Sequence, residues 1–509
     1  MSAERKIESQ VSTMMTKELN GGSRGLHYEE SLLWEKERSD HSGVDFPDVK
    51  NFKNRTGQAE RGDIGLPQVS EPQAVRHFVR LSTLNYSIDS GFFPLGSCTM
   101  KHNPRLNERM ARLPGFAHVH PLQPQQTIQG ALRVMHDLQH WLATLTGLPG
   151  VCLSPAAGAH GELAGVMTIR RAHEQKGNAH KTVMLIPDSA HGTNPATAAM
   201  CGYTIRVIPT KDTGRMSVEA FKEALGDGHD VAGMMVTNPN TCGLFEREIV
   251  EIADLLHKAG GYFYCDGANF NALVGRVRPA DFGVDVMHIN LHKTFSTPHG
   301  GGGPGSGPIC VTDELAPYMP VPTVVKQGET YVLETEDMRP TTLGRLKGFH
   351  GQFGMHVRAL AYMMSHGGDG LRQVSDDAVL NANYILSQLK DVYNVPFDGP
   401  CMHECLLTEK IQKEKGVSTL DIAKALVEYG FHPMTVYFPL VVQGAMLIEP
   451  TETESKDSLD RFIGVMRHIA DMVETGQGDE LHEYPRSTPR RRLDEVKAAR
   501  FPKLRWTKE

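Results

Sequence analysis

The chain has 509 residues, of which 40% are hydrophobic and 22% are charged, and its formal net charge at pH 7 is −7. This composition is that of an ordinary globular protein with room for two or three domains, and without a long basic tract it gives no electrostatic reason to bind nucleic acid. The N-terminus lacks the apolar core of a signal peptide, and no stretch approaches the roughly 20 apolar residues of a membrane span.

The first segment, residues 1–73, is polar and has few apolar clusters. A segment of this kind cannot bury a core of its own, so we expect an extended arm that wraps a partner. Helical periodicity begins at Ala74, and it returns in residues 131–142, where apolar residues recur at steps of three and four.

A loop between these two predicted helices is dense in small, polar and titratable side chains. Ser97, Cys98, Thr99 and Lys101 lie in this loop and are candidates for substrate contacts. Cys98 would be a nucleophile only if its pKa were depressed, and the more frequent role is that of a small buried thiol.

Short apolar runs alternate with helical segments between residues 150 and 325, which predicts βαβ units and a mostly parallel sheet covered by helices. The predicted strands span residues 182–187, 204–209, 231–236, 261–266 and 286–290. We assign residues 74–347 to this large α/β domain. Residues 348–509 are predicted to form a smaller α+β domain and tail, with helices over 353–364 and 381–389 and a strand over 436–442.

Ligands of open α/β sheets bind beyond the carboxyl ends of the strands, where this chain places several polar residues. Small residues before Glu162 open a helix, whose free N–H groups and dipole suit a phosphate, although a simple turn with an N-cap is the alternative. Asp266 ends a strand and suits a protonated ring nitrogen, with an N-cap again the alternative. His191 ends another strand, where an imidazole can stack on a ring or move a proton.

Lys293 follows an apolar strand and precedes a glycine-rich loop over residues 298–308. A lysine that forms a Schiff base must be held in a pocket, so its neighbours Leu291 and Phe295 suit that role, although an ordinary lysine at a surface turn is the alternative. Three such signals at neighbouring strand ends together predict a pyridoxal-phosphate site.

The eight cysteines are scattered and include no C-x-x-C pair, which fits a reducing compartment and a cytoplasmic protein. Cys401 and Cys405 flank His403, but two further ligands at matching spacing are not evident, so we predict no metal site.

Several longer motifs carry a specific resemblance over most of the chain. They are Leu95-Gly-Ser-Cys-Thr-Met-Lys, Ala157-Gly-Ala-His-Gly-Glu, Ala190-His-Gly-Thr-Asn-Pro-Ala, Thr237-Asn-Pro-Asn-Thr, Asp266-Gly-Ala-Asn, Asn290-Leu-His-Lys-Thr-Phe-Ser-Thr-Pro-His-Gly and Met446-Leu-Ile-Glu-Pro-Thr-Glu-Thr-Glu-Ser. In these the chain resembles the P-protein of the glycine cleavage system, the glycine decarboxylase, and in particular the second, lysine-bearing subunit of the split bacterial type.

The resemblance implies a fold-type I pyridoxal-phosphate enzyme that decarboxylates glycine and passes the aminomethyl group to the lipoyl arm of H-protein. It also implies a heterotetramer that contains two copies of this chain and two of a homologous subunit without the lysine. By the same resemblance, Lys293 is the covalent anchor, Asp266 is the partner of the pyridinium nitrogen and His191 stacks on the ring. The phosphate is held by Ala157, Gly158 and Ala159, and further cofactor contacts come from Asn194, Thr241 and Ala268. Proton transfer is implied for His292, and glycine contacts are implied for Ser97, Cys98, Thr99 and Lys101.

Two other interpretations stay open at this point. The chain is a different fold-type I enzyme, such as an aminotransferase, a cysteine desulfurase or a serine hydroxymethyltransferase, or it is a non-catalytic subunit that keeps the fold to shape an assembly. Lys293 and Asp266 argue against the second interpretation.

Overall fold

The computed structural model describes residues 30–36, 43, 47, 57, 65–210, 212–299, 305–488, 490–505 and 507. The chain divides into two compact units, one formed by Met1–Ser90 with Glu483–Glu509 and the other by Gly91–His482. The predicted arm over residues 1–73 lies largely outside the described residues, and so do residues 300–304 of the glycine-rich loop.

The α-helices are α1 (Glu71–Leu84), α2 (Arg105–Ala111), α3 (Pro114–Ala117), α4 (Gln129–Thr146), α5 (Gly158–Gln175), α6 (Thr193–Met200), α7 (Val218–Leu225), α8 (Ile249–Lys258), α9 (Leu291–Thr294), α10 (Phe353–Leu389), α11 (Lys410–Lys413), α12 (Thr419–Glu428), α13 (Lys456–Glu474), α14 (Gly478–Leu481) and α15 (Glu495–Arg500). The strands are β1 (Gly150–Cys152), β2 (Val183–Pro187), β3 (Thr204–Ile208), β4 (Val231–Thr237), β5 (Tyr262–Gly267), β6 (Val286–Ile289), β7 (Ile309–Val311), β8 (Thr323–Gln327), β9 (Thr330–Glu334), β10 (Cys405–Thr408), β11 (Thr435–Val436) and β12 (Ala445–Ile448).

In the first unit, α1 begins with a capping box in which Ser70 and Gln73 satisfy each other's backbone N–H groups. The carboxylate of Glu30 lies 3.0 Å from Nδ1 of His77 on this helix. Because the capping box sets the start at Glu71, the helix begins three residues before Ala74, where the apolar periodicity that predicted it begins.

The second unit is built on a seven-stranded sheet with the order β1-β7-β6-β5-β4-β2-β3. Strands β2 to β6 pair in parallel, while β7 runs antiparallel to both of its neighbours. Each of the five predicted strands is confirmed, and its bounds lie within one residue of the prediction. The mostly parallel sheet of the predicted fold class is therefore present.

Both faces of this sheet are covered, which explains why its strands are continuous apolar runs. On β4, Met234 packs into the core under α4, whereas its neighbour Met235 packs into the core under α5. Phe263 and Tyr264 on β5 divide in the same way, since side chains alternate between the faces of a strand. Because helices pack on both faces of the sheet, the backbone positions at the carboxyl ends of its strands are fixed.

A three-stranded antiparallel sheet with the order β10-β12-β11 forms the core of the C-terminal part of this unit. The segment before Ser97 docks on its central strand through a bridge between Leu95 and Ile448. The N–H of Gly96 donates to Leu447 O at 3.2 Å, and a Cβ at this glycine would lie 2.4 Å from Leu447 Cγ. Only glycine therefore permits this close approach.

Of the predictions for the C-terminal region, the strand is wrong and the two helices are confirmed. The strand predicted over residues 436–442 ends at Val436, because Tyr437 has a left-handed φ of 56° and Pro439 has no N–H to donate to a ladder. The two helices predicted over 353–364 and 381–389 are both present, as the two parts of α10 on either side of a kink at Gly367, where φ is 63°. The second part begins well before the predicted residue 381. Among the helices in the described ranges, none is long and apolar enough to cross a membrane.

Candidate active site

A cavity of about 320 Å³ lies at the carboxyl edge of the main sheet. Of the residues that the sequence predicted for the site, it brings together Ser97, Cys98, Gly158, Ala159, His191, Thr241, Asp266, Ala268 and Lys293. These residues lie at or after the ends of five strands, β1, β2, β4, β5 and β6, or belong to the docked loop, as expected for a site built where parallel strands end.

Lys293 lies on α9, the single helical turn that follows β6. Its side chain is half-buried in the cavity wall, and Nζ donates a hydrogen bond to the carbonyl oxygen of Ser97 at 2.7 Å. The neighbours Leu291 and Phe295 are fully buried, which fixes the turn and aims the lysine at the cavity.

Asp266 is buried near the end of β5, with only 4% of its surface exposed. One carboxylate oxygen accepts the N–H of Ala268 at 2.9 Å, and the other accepts Nδ2 of Asn194 at 3.1 Å. Burial alone would raise the pKa of Asp266, but the His288 ring, the N–H of Ala268 and Lys293 together hold this pKa below its usual value. Asp266 is therefore an anion at the floor of the cavity.

Helix α5 begins at the cavity, with Ala157 as its N-cap residue. Its first N–H groups have no partner within the helix and point along the axis toward the cavity side. The wall is closely packed here, because a Cβ at Gly158 would lie 2.6 Å from Nδ2 of Asn290 and one at Gly161 would lie 2.3 Å from Gly307 O. Because Ala157, Gly158 and Ala159 have no side-chain atom beyond Cβ, the backbone N–H groups at the start of α5 remain open to an anion such as a phosphate.

His191 lies exposed at the cavity, where its Nδ1 is 2.8 Å from Oγ1 of Thr193. Its ring meets the ring of Phe438 edge to face, with 5.7 Å between the centroids. Thr241 is buried and donates its hydroxyl to Ser189 O at 2.5 Å, which ties the loop after β4 to the loop after β2.

The other predicted site residues do not line the cavity. Asn194 lies behind it, between Asp266 and Glu162, and it donates to Oε2 of Glu162 at 2.9 Å. The ring of His292 faces Nδ2 of Asn290 at 3.3 Å, and burial followed by the nearby His299 lowers its pKa to about 3, so this imidazole is neutral.

Thr99 and Lys101 are also engaged away from the cavity. Thr99 donates its hydroxyl to Oε1 of Glu449 at 2.6 Å. Nζ of Lys101 is buried and donates to Oε1 of Glu452 at 2.7 Å and to Oδ1 of Asn271 at 2.9 Å. Both side chains therefore hold the loop in place in this structure.

Several cavity residues were not predicted. Glu162, His288 and Asn290 lie beside predicted residues in the same motifs, so proximity in sequence was a usable signal for them. Thr435 and Phe438 reach the cavity from the C-terminal region, and nothing in their local sequence marks them.

The residues present fit pyridoxal phosphate. The cavity wall combines an amine, a buried carboxylate and a helix N-terminus, which match the aldehyde, the ring nitrogen and the phosphate of that cofactor. In addition, Oε1 of Glu162, Oγ1 of Thr237 and Oδ1 of Asn269 are buried without a hydrogen-bond partner in the described part of the chain. Unpaired polar atoms of this kind suit a polar ligand.

Two family models match the chain. A model described as glycine dehydrogenase, C-terminal domain, matches residues 374–487, and a model described as aminotransferase class-V matches residues 166–323. The second match contains the strands that carry Asp266 and Lys293.

Sequence relatives cover nearly the whole chain. It is 58% identical over 491 residues to a probable glycine dehydrogenase (decarboxylating) subunit 2 of Caulobacter vibrioides, which covers 95% of this chain and 93% of the relative. It is 52% identical over 444 residues to a protein of the same description from Listeria innocua, which covers 87% of this chain and 90% of the relative.

Solved structures share the fold. A glycine decarboxylase (P-protein) of the glycine cleavage system, in inhibitor-bound form, superposes with a TM-score of 0.69 at 20% identity and covers 81% of this chain and 92% of its own. A cysteine desulfurase from Thermococcus onnurineus NA1 gives a TM-score of 0.59 at 14% identity, with 77% of this chain and 98% of its own covered. The predicted fold-type I architecture is thereby confirmed.

Proposed function

This chain belongs to the family of glycine dehydrogenase (decarboxylating) subunit 2, and from that premise we propose that the cavity around Lys293 is the active site of a pyridoxal-phosphate enzyme that decarboxylates glycine. When bound, pyridoxal phosphate supplies an electron sink for the negative charge that develops on the glycine Cα as CO2 leaves. The chain's own residues bind and orient the reactants around it.

Lys293 is proposed to be the residue that would hold the cofactor covalently, through Nζ, and that would release it to the amino group of glycine. Asp266 keeps the proton on the ring nitrogen, because a buried carboxylate with a lowered pKa stabilises a cation beside it. Gly158 and Ala159, with Ala157 as N-cap, hold the phosphate at the start of α5. His191 is proposed to lie against the ring from the exposed side of the cavity.

Further cofactor contacts are proposed for Thr241 and Ala268, which line the cavity. Asn194, which lies behind the cavity, is proposed to act through Asp266 by holding its carboxylate. The walls of the cavity near Ser97 and Cys98 are proposed to contact glycine. Selection of glycine is proposed to come from the exclusion of larger side chains.

The partners are part of this proposal. We propose that the chain assembles with a homologous subunit that lacks the lysine, as two copies of each, and that the aminomethyl group passes to the lipoyl arm of H-protein. The description of the relatives as subunit 2 supports a partner subunit.

The boundary between a large domain over residues 74–347 and a small domain over residues 348–509 stays a proposal, as does a cytoplasmic location. The eight cysteines, all of them free thiols, accord with a reducing compartment.

A competing activity is that of an aminotransferase, which needs a cationic side chain for the second carboxylate of a dicarboxylic substrate. No arginine lines the cavity in the part of the chain that the structure describes. This observation favours a substrate without a second carboxylate.

The observation that carries the proposal is the position of Lys293, Asp266 and the start of α5 around one cavity. The test is borohydride reduction of the chain loaded with pyridoxal phosphate beside its partner subunit, followed by mass spectrometry of the labelled peptide. We expect the label on Lys293 and CO2 release from glycine that depends on lipoylated H-protein. A label on Lys101 instead, or equal activity with larger amino acids, would overturn the assignment.

A further inference from the structure

The loop that carries Ser97 is held in an unusual backbone conformation. Ser97 has a φ of 61° and Thr99 a φ of 49°, both in the left-handed region that side-chain-bearing residues avoid. The conformation is least favourable for a β-branched residue such as Thr99. Something outside the loop must therefore stabilise it, since such residues persist only where the surroundings over-determine them.

Two buried carboxylates supply that stabilisation. Glu404 accepts the N–H of Ser97 at 2.7 Å, and its other oxygen accepts Nδ2 of Asn269 at 3.3 Å. Glu449 accepts both the N–H of Thr99, at 2.8 Å, and its hydroxyl, at 2.6 Å. Each left-handed residue therefore has its own carboxylate, and both carboxylates have no exposed surface.

The fixed loop presents one group to the catalytic lysine. The carbonyl oxygen of Ser97 accepts the hydrogen bond from Nζ of Lys293 at 2.7 Å. The orientation of this carbonyl depends on the backbone angles of the loop, so a relaxation at Ser97 would turn the acceptor away from the lysine.

His403 lies beside the pair, with Nε2 at 3.6 Å from Oε1 of Glu449, and the three side chains are grouped closely enough to suggest cation ligands. The carboxylate oxygens, however, already accept hydrogen bonds from Ser97, Thr99 and Asn269. Their present partners are donors of the protein itself, which fits a clamp on the loop better than a metal site.

We propose that Glu404 and Glu449 are positioning residues that fix the carbonyl of Ser97 as the resting acceptor for Lys293 after glycine has displaced it. This inference rests on the proposed function. In that displacement the double bond to a protonated Nζ would break as one to the neutral glycine amine forms. One proton would pass from the glycine nitrogen, which keeps the other, to Nζ, so that the lysine leaves as a neutral amine. The released amine is then held within reach for the return step.

The test uses Glu404→Gln and Glu449→Gln in the full chain assembled with its partner subunit. A glutamine keeps the shape of the side chain but places an N–H2 group against one of the loop's donors. Glu409→Gln is the matched control, because Glu409 is also a buried carboxylate that accepts a backbone N–H, from Thr419 at 2.5 Å, but it does not touch the loop.

The first readout is the labelling rate of Lys293 by an amine-reactive reagent in the cofactor-free complex, followed by peptide mass spectrometry. We expect labelling roughly tenfold faster in either clamp variant than in wild type, the size of one lost buried hydrogen bond. The control should label at the wild-type rate. The second readout is turnover, where we expect kcat to fall while the KM for glycine changes little, because the return of the lysine is slowed rather than the binding of substrate.

Adding Ser97→Gly to Glu404→Gln gives a further check, since glycine adopts a positive φ without strain. This double variant should recover part of the wild-type protection of Lys293. Unchanged labelling in both clamp variants, or a loss of activity through KM alone, would overturn the positioning role. Borohydride attachment of the cofactor to Lys293 in the wild type is scored separately, so its failure would instead overturn the proposed function.

Discussion

The two walls of the cavity are built in different ways. One wall, the sheet wall, consists of Asp266, His288 and Lys293 at the ends of the neighbouring strands β5 and β6. The other, the loop wall, consists of Gly96, Ser97 and Cys98. Its loop is held at Ser97 by Glu404 and at Thr99 by Glu449, from positions 307 and 350 residues away in the chain.

The difference concerns what holds each functional group. The sheet wall inherits its geometry from parallel strands whose every residue is buried, so the backbone ladder positions the chemistry. The loop wall has no ladder and depends on side-chain acceptors for each strained residue. Substitutions in the sheet wall should therefore lower the catalytic rate, whereas substitutions in the loop wall and its loop should mainly lower the stability of the protein or disorder the loop.

The largest effect is expected for Lys293→Ala in the sheet wall. Removing the anchor should lower CO2 release from glycine by on the order of 10³-fold or more, because Lys293 is the one lysine that lines the cavity among the described residues. Assembly with the partner subunit should persist and is measured by size-exclusion chromatography. An alanine variant that exchanges the glycine carboxyl with CO2 at the normal rate would contradict the assignment.

The next largest effect is expected for Asp266→Asn. The amide cannot stabilise a protonated ring nitrogen, so kcat should fall by about 10²-fold to 10³-fold with the cofactor still attached to Lys293. Steady-state decarboxylation kinetics and the borohydride label measure the two outcomes separately. If kcat stays within a few-fold of wild type, another group serves as the ring partner.

In the loop behind the loop wall, Lys101→Met should reduce stability more than chemistry. The change leaves the carboxylate of Glu452 buried beside Asn271 and Tyr362 without its cation, which costs about 3–5 kcal/mol in the free energy of unfolding. Urea denaturation of the cofactor-free chain measures this. A stability equal to wild type would show that Glu452 finds another partner or takes up a proton at little cost.

A pH-dependent effect is expected for Glu162→Gln. Burial is the larger cause, and the charge of Asp266 the second, that raises the pKa of Glu162 to about 7. Between pH 4.5, the ordinary pKa of a glutamate, and pH 7, the folded chain therefore keeps a proton on Glu162 that the unfolded chain has lost. Wild-type stability from this group is fully present below pH 4.5 and is lost as the pH rises toward 7, whereas glutamine has no such loss. The stability of the variant relative to wild type should therefore rise between pH 5 and pH 8 by up to about 3 kcal/mol.

Urea denaturation of both cofactor-free proteins at the two pH values measures this difference, and a constant offset from altered hydrogen bonding cancels in the comparison. Glu223→Gln on the exposed face of α7 is the control, for which we expect no change with pH. An equal difference at both pH values would mean that Glu162 is ionised in the folded chain throughout this range.

The smallest effect is expected for Gly158→Ala. The added Cβ would lie 2.6 Å from Nδ2 of Asn290 at the start of α5, so the side chain of Asn290 must shift. We expect cofactor affinity to fall about tenfold, which corresponds to about 1.4 kcal/mol, with kcat at saturating cofactor nearly unchanged. Absorbance titration with pyridoxal phosphate measures the affinity. Unaltered affinity would show that the phosphate does not approach Gly158.

The parts of the cavity that follow the strands were predictable from the sequence, whereas the contribution of the C-terminal region was not. The strands leading to Asp266 and Lys293, and the small residues that open α5, were predicted because their signals are local runs and turns. The strand predicted over residues 436–442 failed, because its apolar composition outweighed the missing N–H of Pro439 and the left-handed turn at Tyr437. That failed strand is the segment that brings Phe438 to the cavity.

The sequence by itself determined the α/β fold, the positions of five buried strands along the chain and the residue types at their carboxyl ends. The reason is that hydrophobic periodicity and strand-end motifs depend on neighbours a few positions apart. Only the tertiary structure decided that Lys101 lies away from the cavity and that Glu404 and Glu449 hold the loop facing Lys293. The physical reason is that these hydrogen bonds join residues some 300 positions apart, where no local pattern records which buried donor meets which acceptor.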